Sequence, residues 1–175
     1  MRINVEILGA KDARDKLAAM AGRLKNLRPA YTHAGLVVLR TAQERIQQSG
    51  PGWAPQAVGP NGETRKGRLL YRTGALSRSL TENAEGNIFE DLTDGVKVGT
   101  GLKTPDGRYN IGQLMQYGRR AITAPPGKSL RFVIDGRVIY AKSVKASPAR
   151  KFLYISPNTA QAVAAVFVQR IKGEI

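Results

Sequence analysis

The chain has 175 residues, and 28 Lys plus Arg against 13 Asp plus Glu give it a formal charge of +15, with one His and no Cys. That length suits a single domain, residues 1–175, since a chain this size buries roughly 70 % of its unfolded surface. Zero Cys excludes disulfide scaffolds, thiolate zinc sites, iron–sulfur clusters and Cys nucleophiles while leaving the redox compartment open, and a lone His33 excludes multi-His metal sites.

The opening MRINVEILG places Ile3, Val5 and Ile7 at every second position, the pattern of a strand with one buried face. It lacks the basic-then-apolar order of a secretory signal, so the mature chain is expected to begin near Met1. Leu17, Met20, Leu24 and Leu27 recur at three- and four-residue steps and predict an amphipathic helix over 12–27, broken by Pro29. Over 30–48, Ala34, Val37, Val38, Leu39, Ala42 and Ile46 predict a helix buried on most sides. His33 on that helix reads as a core or interface histidine, because no metal or triad partner accompanies it.

From 49 to 68 the composition turns to Ser, Gly, Pro, Asn and charge, too dense in Gly and Pro for regular structure. A loop this long is expected to be functional or ordered by a partner, and to contribute little core. Its end carries a basic cluster, Arg65, Lys66, Arg68 and Arg72, with only Tyr71 beside it. Thr73 then predicts the N-cap of a short helix. Ile88, Phe89, Val96 and Val98 are strand-like, with turns at Glu85-Gly86 and Asp94-Gly95.

A short helix over 111–117 is expected to stop at Gly118 in a left-handed conformation. Residues 130–134 and 138–140 flank Asp135-Gly136, a hairpin signal because the tight turn wants positive φ. Ser156-Pro157 offers a cap and a first-turn proline for a closing helix carrying Val163, Ala164, Phe167 and Ile171. The fold class is therefore α+β: an antiparallel sheet packed by two or three helices, with long loops and a hairpin. No run nears the roughly 18 apolar residues of a membrane span, so a soluble protein with no membrane partner is expected.

Charge is uneven along this map. Residues 101–175 hold 13 basic and 3 acidic side chains, whereas 82–94 hold Glu82, Glu85, Glu90, Asp91 and Asp94 without a single Lys or Arg. Such excess charge points to an acidic partner. Separate acidic and basic regions also suit a head-to-tail contact between copies, which makes rings when the rotation closes. Catalytic signals are missing: Gly127-Lys128-Ser129 resembles the end of a phosphate-binding loop, but Ile122 stands where its first glycine belongs, and the carboxylates are sparse.

Four pieces occur in order: Gly52-Trp53-Ala54-Pro55; residues 69–79, LLYRTGALSRS; Gln113-Leu114-Met115-Gln116-Tyr117-Gly118; and Pro148-Ala149-Arg150-Lys151-Phe152-Leu153. The set resembles the phage virion morphogenesis family, the small tail-completion proteins of Mu-like and P2-like tailed bacteriophages. There a W-x-P segment precedes L-x-x-T-G-x-L-x-x-S, Y-A-x-x-H-Q-x-G and P-A-R-x-F-L segments and a terminal helix. This chain has Met115 where a histidine is common, and a long basic insertion, about 119–144, before the fourth piece.

The resemblance implies a non-enzymatic structural virion protein without cofactors. Such a protein completes or terminates the phage tail and joins tail tube to head, forming a ring, sixfold like the tube. Implied partners are the tail tube protein and neck or connector proteins, with passing contact with genomic DNA. Implied location is the virion tail or neck, and the host cytoplasm during assembly. The alternative is a sequence-nonspecific nucleic-acid-binding protein of a phage or mobile element. Interface candidates are Trp53, Arg65, Lys66, Arg68, Arg72, Arg119, Arg120, Arg131, Arg137 and Arg150. For Trp53, Leu76 and Phe152 the bland reading is packing, and for Arg150 it is capping of the last helix through a local carboxylate.

Overall fold

Apolar spacing and capping residues place five helices among the described residues. In the computed structural model, which describes residues 10–56, 67–71, 73–134 and 137–175, they are α1 (Ala10–Leu24), α2 (Arg28–Gln47), α3 (Ala75–Arg78), α4 (Ile111–Tyr117) and α5 (Pro157–Lys172). The strands are β1 (Asn87–Leu92), β2 (Gly95–Thr100), β3 (Ile122–Thr123), β4 (Leu130–Ile134), β5 (Arg137–Ala141) and β6 (Ser143–Val144). They pair as three two-stranded sheets, β1 with β2, β3 with β6 and β4 with β5. The fold is α+β, with packed helices and a hairpin. The strand expected at Ile3 to Ile7 lies outside the described residues.

Contacts divide the chain into two compact units, the first made of residues 1–39, 89–98 and 155–175 and the second of residues 40–88 and 99–154. In the first unit α1 lies against α5. Arg23 of α1 donates from Nη1 to the carbonyls of Ile171 and Lys172, both at 3.0 Å. Those are terminal carbonyls of α5, which lack intrahelical donors. Tyr31 meets Phe167 edge to face with ring centroids 5.5 Å apart. Gly35 allows a close approach, since a Cβ there would stand 3.0–3.1 Å from Val98, Phe89 and Val96. Ser156 caps α5 as its sequence predicts, its side chain accepting from the Thr159 N–H, with Pro157 in the first turn. Pro29 likewise sits inside the first turn of α2, where its missing N–H costs nothing.

Two capping expectations are corrected. Gly74, at φ 71°, is the N-cap of α3, and Thr73 instead accepts the Ala75 N–H at Oγ1 from one residue further out. Gly118 ends α4 with φ 76° but ψ −174°, an extended conformation of positive φ and not the left-handed helical one. His33 is exposed, and its ring Nδ1 bonds to the Pro29 carbonyl at 3.1 Å, so it is not a core histidine.

The second unit is centred on Ala42, Ile46, Leu76, Leu80 and Phe152, all buried. Asn110 begins α4 by accepting the Gln113 N–H at 3.0 Å, and its amide donates to the Thr100 carbonyl at the end of β2. The β4–β5 hairpin runs in register from Leu130↔Ala141 to Ile134↔Arg137; its expected turn at Asp135-Gly136 lies outside the described residues. Ile122↔Val144 and Thr123↔Ser143 form a shorter antiparallel ribbon.

Candidate functional site

Three separated stretches of the second unit converge on the end of α4. Ser147 exchanges both backbone hydrogen bonds with Arg119, at 2.8 and 2.9 Å, and the Arg150 N–H donates to the Met115 carbonyl at 2.8 Å. Residues 147–153 are thereby laid along the helix end. Gln116 fixes them further: its Oε1 accepts the N–H groups of Phe152 and Leu153, both at 3.1 Å, and its Nε2 donates to the Leu153 carbonyl at 2.7 Å. This side-chain amide does what a neighbouring strand would do for an otherwise unpaired backbone. Gly118 is required there, because a Cβ would stand 2.6 Å from the Ser147 carbonyl oxygen.

Arg150 reaches from this junction to the loop after α2. Its Nε and Nη2 donate to the Ala54 carbonyl at 3.2 and 3.1 Å, and Nη2 also donates to the Pro55 carbonyl at 3.0 Å. The residue is only 8 % exposed, so it holds its own chain together and is not a surface contact. No local carboxylate is involved, which corrects the capping reading. Trp53, half-buried, stacks on Gly50, where a Cβ would overlap the indole. Leu69 donates its N–H to the Ser49 hydroxyl at 3.1 Å, closing the loop at its base. As expected, none of residues 49–55 belongs to the buried core, and the hydrogen bonds to Arg150 tie the segment to its edge.

A second buried cation, Arg45, was not singled out from sequence. It is 7 % exposed, donates to the carbonyls of Phe152 and Tyr154, and lies over the Tyr154 ring at 3.7 Å from its centroid. Its signal was its position beside Ala42 and Ile46, a charge on the apolar side of a helix, which folds only if paired.

The T-G segment joins through Ser79, whose hydroxyl bonds to that of Thr100 at 2.8 Å. Leu76 lines an apolar groove of about 520 Å³ together with Leu70, Leu102, Ile111, Leu114 and Met115. The loop beside it is held by Asp106, whose carboxylate accepts from the Thr104 hydroxyl and the Arg108 N–H. Those bonds, the Thr104 one foremost, hold its carboxyl below the ordinary carboxylate range.

The remaining candidates are peripheral. Arg68 is exposed, its guanidinium 5.4 Å from the Tyr71 ring centroid. Arg119 is half-buried and donates to the Lys145 carbonyl at 3.2 Å, while Arg120 and Arg131 are exposed. Arg65, Lys66 and Arg72, and the side chain of Arg137, lie outside the described residues. In the acidic stretch, Glu90 pairs with Lys97 at 3.0 Å and Asp91 with Arg28 at 3.2 Å. Part of the negative field is therefore neutralised within the chain.

Among the described residues no group of three or more His, Asp or Glu side chains is placed to hold a metal ion, and no helix is long and apolar enough to cross a membrane. Comparison with family models, curated proteins and solved structures gives no match for this chain.

Proposed function

We propose that this chain is a structural subunit of a bacteriophage tail, one that completes or terminates the tail tube and joins it to the head. The observation that carries the reading is the junction at the end of α4. Residues from the W-x-P, Q-x-G and P-A-R-x-F-L pieces bond directly to one another there, and the T-G piece joins them through Ser79, Thr100 and the groove. Pieces whose bonded residues stand 36 to 96 positions apart have a common physical purpose: together they assemble one core. The motif residues Gln116, Gly118 and Arg150 are accounted for by that assembly and not by chemistry on a substrate. What remains for partners is the exposed surface, chiefly the exposed side chains of the basic arm over 119–145.

The subunit is proposed to work in a ring, sixfold to match the tube, in the neck or tail of the virion. Mixing the purified protein with tail tube protein and imaging by negative stain is the test. Tubes ending in a discrete cap support the proposal; tubes unchanged at every ratio oppose it.

A further inference from the structure

Residues 119–145 hold seven basic side chains and one acidic. The β4–β5 register sorts them onto faces, because successive residues of a strand point to opposite sides. Leu130, Phe132, Ile139 and Ala141 share one face, and all four are half-buried. Arg131 stands across from Tyr140 on the other, flanked along β5 by Val138 and followed by Lys142. That second face is open to solvent, with Tyr140 66 % exposed.

Among the described residues, Arg28 pairs with Asp91, Arg40 with Glu44, Lys97 with Glu90 and Arg108 with Asp106, all outside the arm. In the arm, Lys142 reaches only the Lys128 carbonyl. Among the described residues none of Arg120, Lys128, Arg131 or Lys142 meets a carboxylate. An uncompensated field of one sign repels itself, and it is relieved by a partner of the opposite sign.

We infer that the exposed face of this arm, Arg131, Tyr140 and Lys142, together with the exposed Lys128 and Arg120 of the same stretch, binds the phosphate backbone of double-stranded DNA without reading its sequence. The place where DNA is met rests on the proposed tail function; the binding rests on the arm alone. Duplex DNA is favoured over an acidic protein surface for two reasons. The arm holds seven basic side chains against one acidic, a sign and excess that a polyanion matches by releasing its counterions. The duplex also offers a charge about every 1.7 Å of its axis, so a narrow ribbon finds phosphates in any register. The face carries no Asn, Gln, Asp or Glu for the adenine and cytosine edges, which makes the contact sequence-blind.

The test is fluorescence anisotropy of the full chain with two 30-base-pair duplexes of unrelated sequence, over a salt series. Both should bind with affinities within about threefold, and log K should fall with log salt with a slope of about −3, as for three to four phosphates. R131E/K142E should weaken binding at least tenfold and flatten the slope, and the milder R131Q/K142Q should lie between. R40E/K172E, an equal charge change outside the arm, should weaken it less than threefold. Melting curves establish that each variant folds.

No binding at low salt, equal losses from both charge-reversed pairs, or strong preference for one duplex would each overturn the inference. Arm variants that lose tube capping while the parent chain shows no DNA affinity would assign the face to an acidic protein and overturn it as well. DNA affinity that depends on the arm, in a chain that never caps tubes, supports the inference while removing the tail reading.

Discussion

Arg150 donates from Nε and Nη2 to the carbonyl oxygen of Ala54, a residue 96 positions earlier in the chain, at 3.2 and 3.1 Å. The planar guanidinium also reaches the Pro55 carbonyl, so one buried side chain fixes two consecutive peptide groups. Truncation leaves the carbonyls of half-buried Ala54 and exposed Pro55 without these donors, at a cost of about 2–4 kcal/mol together. Arg150→Ala should therefore lower Tm by roughly 5–15 °C for a chain of this size. Arg150→Lys should recover less than half, because an ammonium lacks the rigid fork. Thermal melting by circular dichroism is the check, and an unchanged Tm in the Ala variant would contradict the anchoring role.

Gly118 and Gly127 separate two reasons for glycine. Both have positive φ, 76° and 75°, but a Cβ at Gly118 would stand 2.6 Å from the Ser147 oxygen whereas Gly127 has open space. Gly127→Ala should cost about 1 kcal/mol from backbone conformation alone. Gly118→Ala should cost about 3 kcal/mol or more and break the Arg119–Ser147 pairing. Urea denaturation of both variants measures the difference, and equal losses would show that the close approach does not matter.

Asp106 should titrate below its unfolded value of 3.8. A lowered folded pKa means that ionisation favours the folded loop. The contribution is present above the unfolded value and is lost as pH falls through the folded one. Carboxyl NMR titration of Asp106 reads this directly. Thr104→Val should move the midpoint up toward 3.8, since the Thr104 hydroxyl is the largest cause; no movement would assign the shift elsewhere.

Ring formation is expected to be heterologous and salt-sensitive. An acidic stretch of sequence such as 82–94 cannot face its own copy across a two-fold axis without repulsion, but it can meet the basic C-terminal half. Such partly exposed pairs are screened within about 8–10 Å at physiological ionic strength. Mass measurement at low and high salt should show oligomers that dissociate as salt rises. A two-fold dimer indifferent to salt would contradict both the ring and its electrostatic origin.

Local signals made much of the fold legible. Ser156-Pro157 marked the start of α5, Gly118 the end of α4, and the apolar runs around Asp135-Gly136 the β4–β5 hairpin, because each depends on residues within one or two turns of chain. Two-residue strands such as β3 and β6 carry no periodicity to detect. Gly74 took the cap position that Thr73 advertised because the backbone there is left-handed, a conformation Thr resists. The junction was least legible of all. Gln116 and Arg150 bond to backbone carbonyls and N–H groups, which every residue possesses, so no partner residue type betrays the contact. Arg45 was readable in principle, as a charge on an apolar helix face.

Negative-stain imaging of tail tubes mixed with this protein tests the central claim most directly. The account predicts a discrete cap on one end of each tube, with sixfold end-on averages, and its loss in a chain lacking residues 57–66, which leaves the Arg150 contacts with Ala54 and Pro55 in place. Tubes that stay uncapped at every protein ratio and salt concentration would contradict it.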